Sequence, residues 1–446
     1  MKRFLFLAVM VMAALCLAAA NQPTGDKTAP ARDPFAPLAD HHAHLLSPAG
    51  AKLINDPPLP EVEVPQDLAR LLRAREKGWS DKSALAALYT EDSLVFDSVE
   101  PRWIRGRDEV TTFLAEQLFA RSYRITPIAY GVEGSAGYLA AYFTRDGTAA
   151  KHIGQVLFSL RKGADGAWRI AAESPTFPGP TVREPKPAEQ LIPQLDEAGI
   201  QRAAVLSAAY WFGSPFMRKA EGDEYANVRA ENDWTVQETA RFPTRLFAFC
   251  SFNPLKDYAA EELDRCAKLP QVRGLKLHFA NSRVDVKNPE HVEKLRRVFS
   301  QANERRLAIV AHLWTGRDYG REDAEIFLSQ ILPSAPDVPV QIAHFAGGGP
   351  GYTDEAMEVY AKAIAAGDPR TKNLYFDFAT VADAKSDELL RTFAMRIRQV
   401  GPQRVLFGTD LGPPAARQSW AHFRTVVPLT DEEFKTIAGN VAPYLR

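Results

Sequence analysis

Three histidines stand within four positions near the start of the chain, in the run Asp40-His41-His42-Ala43-His44. Side chains two residues apart in a β-strand point to the same side, so in a strand His42 and His44 would converge on one face. Two neutral imidazoles on one face can bind a single divalent cation. Asp40 has the same parity and is a candidate to orient these imidazoles as a hydrogen-bonded carboxylate. Because a catalytic cation site takes three or more protein ligands, this run predicts partners elsewhere in the chain.

Candidate partners stand at the ends of apolar runs in the second half of the chain. They are Lys276 and His278 in Gly-Leu-Lys-Leu-His, His312 in Ala-Ile-Val-Ala-His, His344 in Val-Gln-Ile-Ala-His, and Asp410 in Phe-Gly-Thr-Asp. Short apolar runs of this kind are typical of buried strands. We therefore predict that several strand ends meet and form one metal-dependent active site.

Such a site requires elements that bring distant strand ends together, and the chain offers eight strands separated by helices. The predicted strands are the histidine run and the ranges 202–207, 246–252, 272–278, 307–312, 338–344, 373–378 and 404–409. Strands that alternate with helices form parallel βαβ units. Eight units predict an α/β fold, a (β/α)8 TIM barrel with its active site at the C-terminal strand ends. A doubly wound open sheet is the alternative. His41, of opposite parity to His42, is expected to face the surrounding helices.

A self-contained block at 66–178 interrupts this barrel, whose own segments are predicted at 38–56 and 185–446. The block begins with two helical stretches and continues with strand-like runs, which together indicate an α+β unit. It resembles the ketosteroid-isomerase-like cone fold, also called SnoaL-like, at residues 88–92, 105–109 and 166–170. Asp97 and Tyr123 are candidates to line its pocket. We see no acid–base pair in the block that would support an isomerase, and expect an accessory, lid or homodimerisation role.

The ordered set of motifs resembles the amidohydrolase superfamily of metal-dependent barrels, and within it the amidohydrolase-related branch that includes decarboxylases. The matching motifs are the H-x-H of His42 and His44, G-x-K-x-H around Lys276, the single histidines His312 and His344, G-T-D at Asp410, and Gly439-Asn440-Val441-Ala442 near the C-terminus. The resemblance covers residues 38–46 and about 185–446. It implies that His42, His44 and His312 are metal ligands. Asp410 would be a further ligand and the general base for metal-bound water.

The resemblance leaves alternative roles for two residues. His344 would bind a second metal, or it would hold the substrate or the nucleophilic water. Lys276 would be carboxylated and bridge two metals, or it would remain an amine near the substrate. His278 has the same parity as Lys276 and is a further catalytic candidate. The nitrogen-rich donor set favours one zinc ion, with a second metal, manganese or iron as alternatives.

Three functions remain open from the sequence. The leading hypothesis is an exported metal-dependent hydrolase that activates water for attack on a C–N or C–O bond of a small molecule. The first alternative is a decarboxylase of an aromatic or unsaturated carboxylic acid, with Lys276 or Arg283 contacting the carboxylate. The second is a non-catalytic, metal-loaded ligand-binding protein. Trp211, Phe212 and Trp314 follow predicted strand ends, so they are candidates to rim the mouth of the site.

Composition and the first residues limit the partners and the location. The chain has 446 residues and a formal net charge of −1, which argues against a nucleic-acid surface or a polybasic membrane patch. Residues 1–20 combine Lys2 and Arg3 with a short apolar run, which predicts a cleaved signal peptide and a periplasmic or secreted protein without a stable membrane span. Residues 21–37 would form a flexible lead-in. Cys250 is interpreted as a small buried hydrophobe, and its pairing with Cys266 is left open.

Overall fold

The computed structural model describes residues 33, 35–55, 58–78, 81–97, 102–116, 123–145, 152–176, 183–313, 319–347, 353–384, 386–411 and 415–446. The predicted signal peptide, most of the predicted lead-in and Trp314 lie outside the described residues. Within the described ranges, we find no helix that combines the length and the apolar character needed to cross a membrane.

Fourteen strands lie in the described ranges, and they form two separate sheets. They are β1 (Ala39–Ala43), β2 (Tyr89–Asp97), β3 (Arg102–Arg105), β4 (Arg124–Glu133), β5 (Ala136–Thr144), β6 (His152–Lys162), β7 (Trp168–Thr176), β8 (Arg202–Leu206), β9 (Leu246–Ser251), β10 (Val272–His278), β11 (Ala308–His312), β12 (Val340–Ile342), β13 (Leu374–Asp377) and β14 (Val405–Leu406). Each predicted strand of the barrel overlaps one of these strands.

Helices alternate with the strands of the larger sheet and also cover the smaller one. In the described residues they are α1 (Pro48–Ile54), α2 (Gln66–Lys77), α3 (Lys82–Ala86), α4 (Arg107–Ala115), α5 (Ala188–Glu197), α6 (Glu224–Ala240), α7 (Ala259–Cys266), α8 (Phe279–Ser282), α9 (Pro289–Glu304), α10 (Arg321–Ile326), α11 (Asp354–Ala365), α12 (Asp387–Val400), α13 (Ala416–Val426) and α14 (Asp431–Gly439). α9 shows why these segments fold as helices. Asn288 caps its first turn by accepting a hydrogen bond from Glu290 N, and Val292 and Leu295 bury one face.

The larger sheet is a parallel barrel. Its strand order is β1-β8-β9-β10-β11-β12-β13-β14, and every neighbouring pair is parallel. Two backbone hydrogen bonds close the seam between the last strand and the first. His41 N donates to Phe407 O at 2.8 Å, and Asp410 N donates to His42 O at 2.6 Å. The predicted (β/α)8 barrel is therefore confirmed.

The C-terminal turn Pro443–Leu445 fills the N-terminal end of the barrel. Tyr444 is buried in an apolar cluster with residues of several barrel strands, and its ring contacts Phe249. Its hydroxyl donates a hydrogen bond to the side chain of Gln341. Arg202, at the start of β8, donates to the carbonyl of Leu445. These contacts close the end of the barrel that lies opposite the predicted active site.

His41 points toward this closed end. Its Nε2 accepts a hydrogen bond from Ala442 N at 3.1 Å, and its ring contacts Tyr444 edge-on. The expectation that His41 faces the helices is therefore wrong. The pairing register of β1 shifts between Asp40 and Ala43, and such an irregularity breaks the strict alternation of side chains along a strand.

The smaller sheet forms the inserted α+β cone. Its order is β3-β2-β7-β6-β5-β4, with β2 parallel to β7 and the other neighbouring pairs antiparallel. The helices α2, α3 and α4 contribute Leu72, Leu85 and Val110 to its core. A buried ion pair of 3.0 Å between Arg75 and Glu173 joins α2 to β7. The predicted cone fold is confirmed, although the short strand β3 was not predicted.

The two connections between the sheets run side by side. Asn55 Nδ2 donates to the carbonyl of Arg183 at 2.9 Å, and Arg183 N donates to Asn55 Oδ1 at 2.6 Å. Leu46 also pairs with Lys186 in an isolated antiparallel bridge. Because the first connection follows the C-terminal end of β1 and the second is paired with it, the cone is attached at the end of the barrel that carries the predicted site.

A disulfide joins Cys250 of β9 to Cys266 of α7, and both residues are buried. Cys250 is therefore buried, as expected, but it is a disulfide-bonded residue and not a free thiol, and the pairing that the sequence left open is present. The separation of sixteen residues between the two cysteines does not by itself predict that they form a disulfide. Their pairing depends on the packing of α7 against its strand.

Candidate metal centre

Three predicted residues meet at the C-terminal end of the barrel. Oδ1 of Asp410 lies 3.6 Å from Nε2 of His42 and 3.5 Å from Nε2 of His44. Ligand atoms of the three residues all lie within 4.8 Å of one another. The placement follows from the seam of the barrel, where Ala43 pairs with Asp410 in a parallel bridge. Residues more than 360 positions apart in sequence thus form one cluster.

The spacing of this cluster fits a divalent cation. Metal–ligand distances of about 2.0–2.2 Å in a tetrahedral zinc site put neighbouring ligand atoms roughly 3.3–3.6 Å apart. The two separations between Asp410 and the imidazole nitrogens fall in that range. His42, His44 and Asp410 would hold the ion, which would supply Lewis acidity next to the mouth of the barrel.

A buried carboxylate supports His42 from behind. Oδ2 of Asp377, at the end of β13, lies 3.0 Å from Nδ1 of His42 and accepts a 2.6 Å hydrogen bond from Gln341 Nε2. When the imidazole proton of His42 is held at Nδ1, Nε2 carries a free lone pair, and this nitrogen faces Asp410. His42, Asp377 and His344 also have the spacing of a metal site. We assign Asp377 as support because this hydrogen bond accounts for its contact with His42.

Asp40 has a different role from the one expected. Its Oδ1 accepts hydrogen bonds from His42 N at 3.0 Å and Thr409 N at 3.2 Å, and its Oδ2 accepts one from the Thr409 hydroxyl at 2.6 Å. The expectation that Asp40 orients the imidazoles is wrong, because Asp377 contacts the ring of His42. Asp40 instead joins β1 to the segment just before Asp410.

His344 approaches the cluster from a left-handed turn. His344, Phe345 and Ala346 have φ values of 53°, 50° and 59°, and Asp410 has a φ of 61°. Left-handed backbone at such residues costs about 1–3 kcal/mol each and is concentrated at functional sites. Nδ1 of His344 lies 2.7 Å from the carbonyl of Ala379, so Nε2 is left facing Oδ2 of Asp410 at 3.8 Å.

His312 and His278 form an adjacent stacked pair. Their ring centroids are 3.9 Å apart, and the ring of His312 also meets that of His344 at 5.0 Å. No group of described residues with the spacing of a metal site includes His312. Its role as a ligand therefore stays a prediction. His278 receives a hydrogen bond of 3.3 Å from Asn281 N, so it also caps the short helix α8.

Lys276 reaches the same cluster from β10. Its Nζ lies 3.0 Å from Nε2 of His42, and the residue is buried. Burial lowers the pKa of Lys276 to about 8, although Asp410 and Asp377 favour its charged form. The predicted position of an amine near the substrate is compatible with this placement. The choice between an amine and a carboxylated lysine stays a prediction.

Burial controls the ionisation of the remaining groups. It lowers the pKa of His44 to about 3 and also lowers the pKa values of His278, His312 and His344. Neutral imidazoles are the form that binds metals. Burial raises the pKa of Asp410, but its interactions with His42, His344 and other neighbours outweigh this effect and hold its pKa below the usual value. His44 and His344 therefore offer neutral nitrogens beside an ionised carboxylate.

Aromatic side chains line one wall of the site. Tyr210 contacts the ring of His278 at 4.8 Å, and its pKa is raised by burial and by Asp410. Trp211 packs in a separate apolar cluster with Leu46 and is almost fully buried, so it supports the wall from behind. Phe212 packs at the edge of the same cluster.

Two cavities adjoin this wall. The first, of about 500 Å³, is lined by Asn281, which contacts His278, and by Lys287. The second, of about 910 Å³, extends to Lys256. Arg283 and Asp285 line both cavities. Among the described residues, the side chain of Arg283 has no hydrogen-bond or ion-pair partner.

Sequence reasoning missed Asp377 and Tyr210. Asp377 ends the seventh barrel strand, so the rule that selected His312 and His344 would also have selected it. Tyr210 lies in a short turn after β8, next to two of the three aromatic residues that were named as rim candidates. Neither residue belongs to a motif of the resemblance.

Solved structures with partial similarity to this chain include enzymes and cone-like proteins. 5-Carboxyvanillate decarboxylase from Sphingomonas paucimobilis is 18% identical with a TM-score of 0.40, covering 56% of this chain and 79% of that chain. A putative amidohydrolase from Staphylococcus aureus is 16% identical with a TM-score of 0.40, covering 58% and 90%. An NTF2-like protein from Pseudomonas putida is 12% identical with a TM-score of 0.22, covering 25% and 83%. These overlaps assign no chemistry to the present chain.

The family assignment comes from the sequence of nearly the whole chain. None of the curated proteins matches it. The family model described as Amidohydrolase matches residues 39–440, which include both parts of the barrel and the cone between them. With its His and Asp cluster at the C-terminal end of a parallel barrel, the chain belongs to the amidohydrolase family.

Proposed function

We propose that this protein is a metal-dependent decarboxylase of a small aromatic or unsaturated carboxylic acid. The observation that carries the proposal is the position of Arg283, which lines both cavities beside the site. A guanidinium binds a carboxylate through two parallel hydrogen bonds. Arg283 follows the strand that carries Lys276 and His278, and Asn281, which lines the first cavity together with Arg283, contacts His278.

Decarboxylation uses the groups that the site provides. The carbon–carbon bond to the carboxylate breaks, carbon dioxide leaves, and the electron pair remains on the substrate carbon until a proton arrives there. Arg283 would position the substrate, and Lys276 would hold the proton for delivery to that carbon. A divalent ion at His42, His44 and Asp410 would supply Lewis acidity for a neighbouring substrate oxygen.

Hydrolysis of a C–N or C–O bond is the second candidate. It is favoured by Asp410, whose two carboxylate oxygens face His42, His44 and His344 at 3.5–3.8 Å. A carboxylate in that position can accept the proton of a bound water molecule. Hydrolysis, however, does not require a cationic contact for the substrate. A decarboxylase must position the carboxylate that its substrate loses, and a cationic side chain serves that purpose.

A substrate panel separates the two reactions. The zinc-loaded protein would be assayed with hydroxybenzoates and other aromatic acids for carbon dioxide release, and with esters, lactones and amides for acid release. We expect carbon dioxide only. Arg283→Met should raise KM for the acids by about 10- to 100-fold, because it removes a charged hydrogen bond worth about 1.5–3 kcal/mol. Arg296→Met, on the exposed face of α9, is the charge-matched control. Turnover of neutral esters or amides without carbon dioxide release would establish the hydrolase instead.

We also propose that the protein is exported to the periplasm or secreted. The support is the predicted signal peptide at residues 1–20, together with the disulfide between Cys250 and Cys266. Disulfides persist mainly in oxidising compartments. Mass spectrometry of the protein from fractionated cells should find an N-terminus near Asn21 outside the cytoplasm. An intact N-terminus in the cytoplasmic fraction would contradict export.

A further inference from the structure

A chain of hydrogen bonds runs through the barrel from the C-terminal turn to the candidate metal centre. The hydroxyl of Tyr444 donates to Oε1 of Gln341. Nε2 of Gln341 donates to Oδ2 of Asp377 at 2.6 Å, and the same oxygen lies 3.0 Å from Nδ1 of His42. Tyr444, at the closed end of the barrel, is therefore linked through two side chains to a residue whose Nε2 faces the cation site.

The amide of Gln341 holds His42 from two directions. Besides its contact with Asp377, Nε2 donates to the backbone carbonyl of His41 at 3.2 Å, so it also fixes the peptide that leads into His42. Both of these partners are acceptors, and a reversed amide would aim an oxygen at each of them. The observed orientation leaves Oε1 as the atom that needs a donor, and the hydroxyl of Tyr444 supplies it.

Burial makes each hydrogen bond in this chain costly to lose. Gln341 and Asp377 are fully buried, and Tyr444 is nearly so. A buried acceptor that loses its donor has no water to replace it, so the loss destabilises the arrangement that needed the donor. The ring of Tyr444 is held by contacts with Phe249 and His41, which do not involve its hydroxyl. The hydroxyl can thus be removed while the packing of the ring remains.

We propose that Tyr444 is a positioning residue for the metal centre. It acts on the imidazole of His42 through Gln341 and Asp377. With Oδ2 of Asp377 held in place, Nδ1 of His42 keeps its proton and Nε2 presents a lone pair to the cation. Without the hydroxyl, the side chain of Gln341 is free to leave Asp377, and a smaller fraction of the protein has the competent arrangement. The apparent metal affinity falls with that fraction. Both candidate reactions use the same cation, so the proposal does not depend on the choice between them.

Competition of the full chain with a chromophoric zinc chelator tests the proposal. Tyr444→Phe removes only the hydroxyl and should weaken zinc binding by about 3- to 10-fold, the effect of one hydrogen bond. Tyr360→Phe is the matched control. The Tyr360 hydroxyl is also buried and lies 2.8 Å from that of Tyr319, but it belongs to α11, so zinc affinity should stay unchanged. Equal affinities of the wild type and Tyr444→Phe would overturn the proposal. A wild type that binds no zinc would overturn it together with the metal centre.

A double-mutant cycle separates positioning from a general loss of stability. Gln341→Met removes the acceptor of the hydroxyl and the donor to Asp377 together. In this background Tyr444→Phe should weaken zinc binding no further, because the hydroxyl has lost the partner through which it acts. If the two substitutions instead lower the zinc affinity independently, so that their effects multiply, Tyr444 does not act through Gln341 and the proposal is wrong.

Nitrogen-15 NMR of the histidines in the zinc-free protein gives a readout that packing alone does not change. The signals of His42 are identified by their absence from His42→Ala. In the wild type, at a pH where this imidazole is neutral, they should report a proton at Nδ1. Tyr444→Phe should increase the share of the tautomer with the proton at Nε2, whereas Tyr360→Phe should not. Identical tautomer populations in the wild type and Tyr444→Phe would contradict the proposal.

Discussion

Replacement of Asp377 by asparagine should weaken metal binding without disturbing the barrel. The carboxylate is fully buried and makes four contacts. Oδ2 contacts Nδ1 of His42 and accepts from Gln341, while Oδ1 accepts from the backbone N of His344 at 3.1 Å and of Ala379 at 3.2 Å. One side chain therefore fixes both the tautomer of His42 and the left-handed turn at His344.

An amide cannot satisfy all four contacts. If the NH₂ group of the asparagine faces His42, it donates to Nδ1 and moves the imidazole proton to Nε2, the atom that faces the cation site. If the amide is reversed, its NH₂ group meets the backbone donors of His344 and Ala379. Loss of such a supporting hydrogen bond weakens metal affinity by about 10- to 100-fold. This factor corresponds to about 1.4–2.7 kcal/mol.

Competition with a chromophoric zinc chelator measures the change directly. Asp377→Asn should show the weaker zinc affinity, while circular dichroism should show unchanged secondary structure. Asp354→Asn is the matched control, because Asp354 also accepts charged hydrogen bonds, from Arg396, but lies on α11 in the helical layer. An Asp377→Asn protein that binds zinc as tightly as the wild type would refute the assignment of this carboxylate.

Further predictions address the cluster, the disulfide and a buried acid. His42→Ala and Asp410→Asn should each abolish turnover while the thermal unfolding curve stays cooperative; full activity in either would contradict the site. Replacing Cys250 and Cys266 by alanine should lower the free energy of unfolding by about 3 kcal/mol in denaturant titrations, since the disulfide closes a loop of about fifteen residues. Burial raises the pKa of Glu231 to about 7 from 4.5, so the folded state holds a proton that the unfolded state loses. Stability should therefore fall between pH 4.5 and 7 by on the order of 3 kcal/mol relative to Glu231→Gln, as measured by urea unfolding at both pH values.

The sequence predicted the strands because their physical signals are local. Apolar runs separated by amphipathic helices indicate parallel units without reference to the rest of the chain. A polar residue at the end of such a run is then predicted to lie at the C-terminal end of the barrel, where the active site is expected. His42, His44, His344 and Asp410 were found in this way, and the structure brings them together.

The errors concern features that depend on register or on tertiary packing. Strict alternation assigned Asp40 to the imidazoles and His41 to the helices, but Asp40 bonds Thr409 and His41 contacts Tyr444, in a strand whose pairing register shifts between Asp40 and Ala43. No local pattern reveals such a shift. The disulfide between Cys250 and Cys266 likewise depends on where α7 packs, which spacing does not determine.

The charge of the cluster connects the number of metal ions to the chemical state of Lys276. Asp377 and Asp410 contribute two negative charges, and Lys276 as an ammonium contributes one positive charge, while imidazoles that bind a metal are uncharged. One divalent cation changes this net charge from −1 to +1, which suits a substrate monoanion. A carboxylated Lys276 would replace a positive charge by a negative one, so a second divalent cation would be needed to restore the same balance. Metal analysis of the purified protein therefore reports on the lysine as well. About one equivalent favours the free amine, and two equivalents favour the carboxylated form.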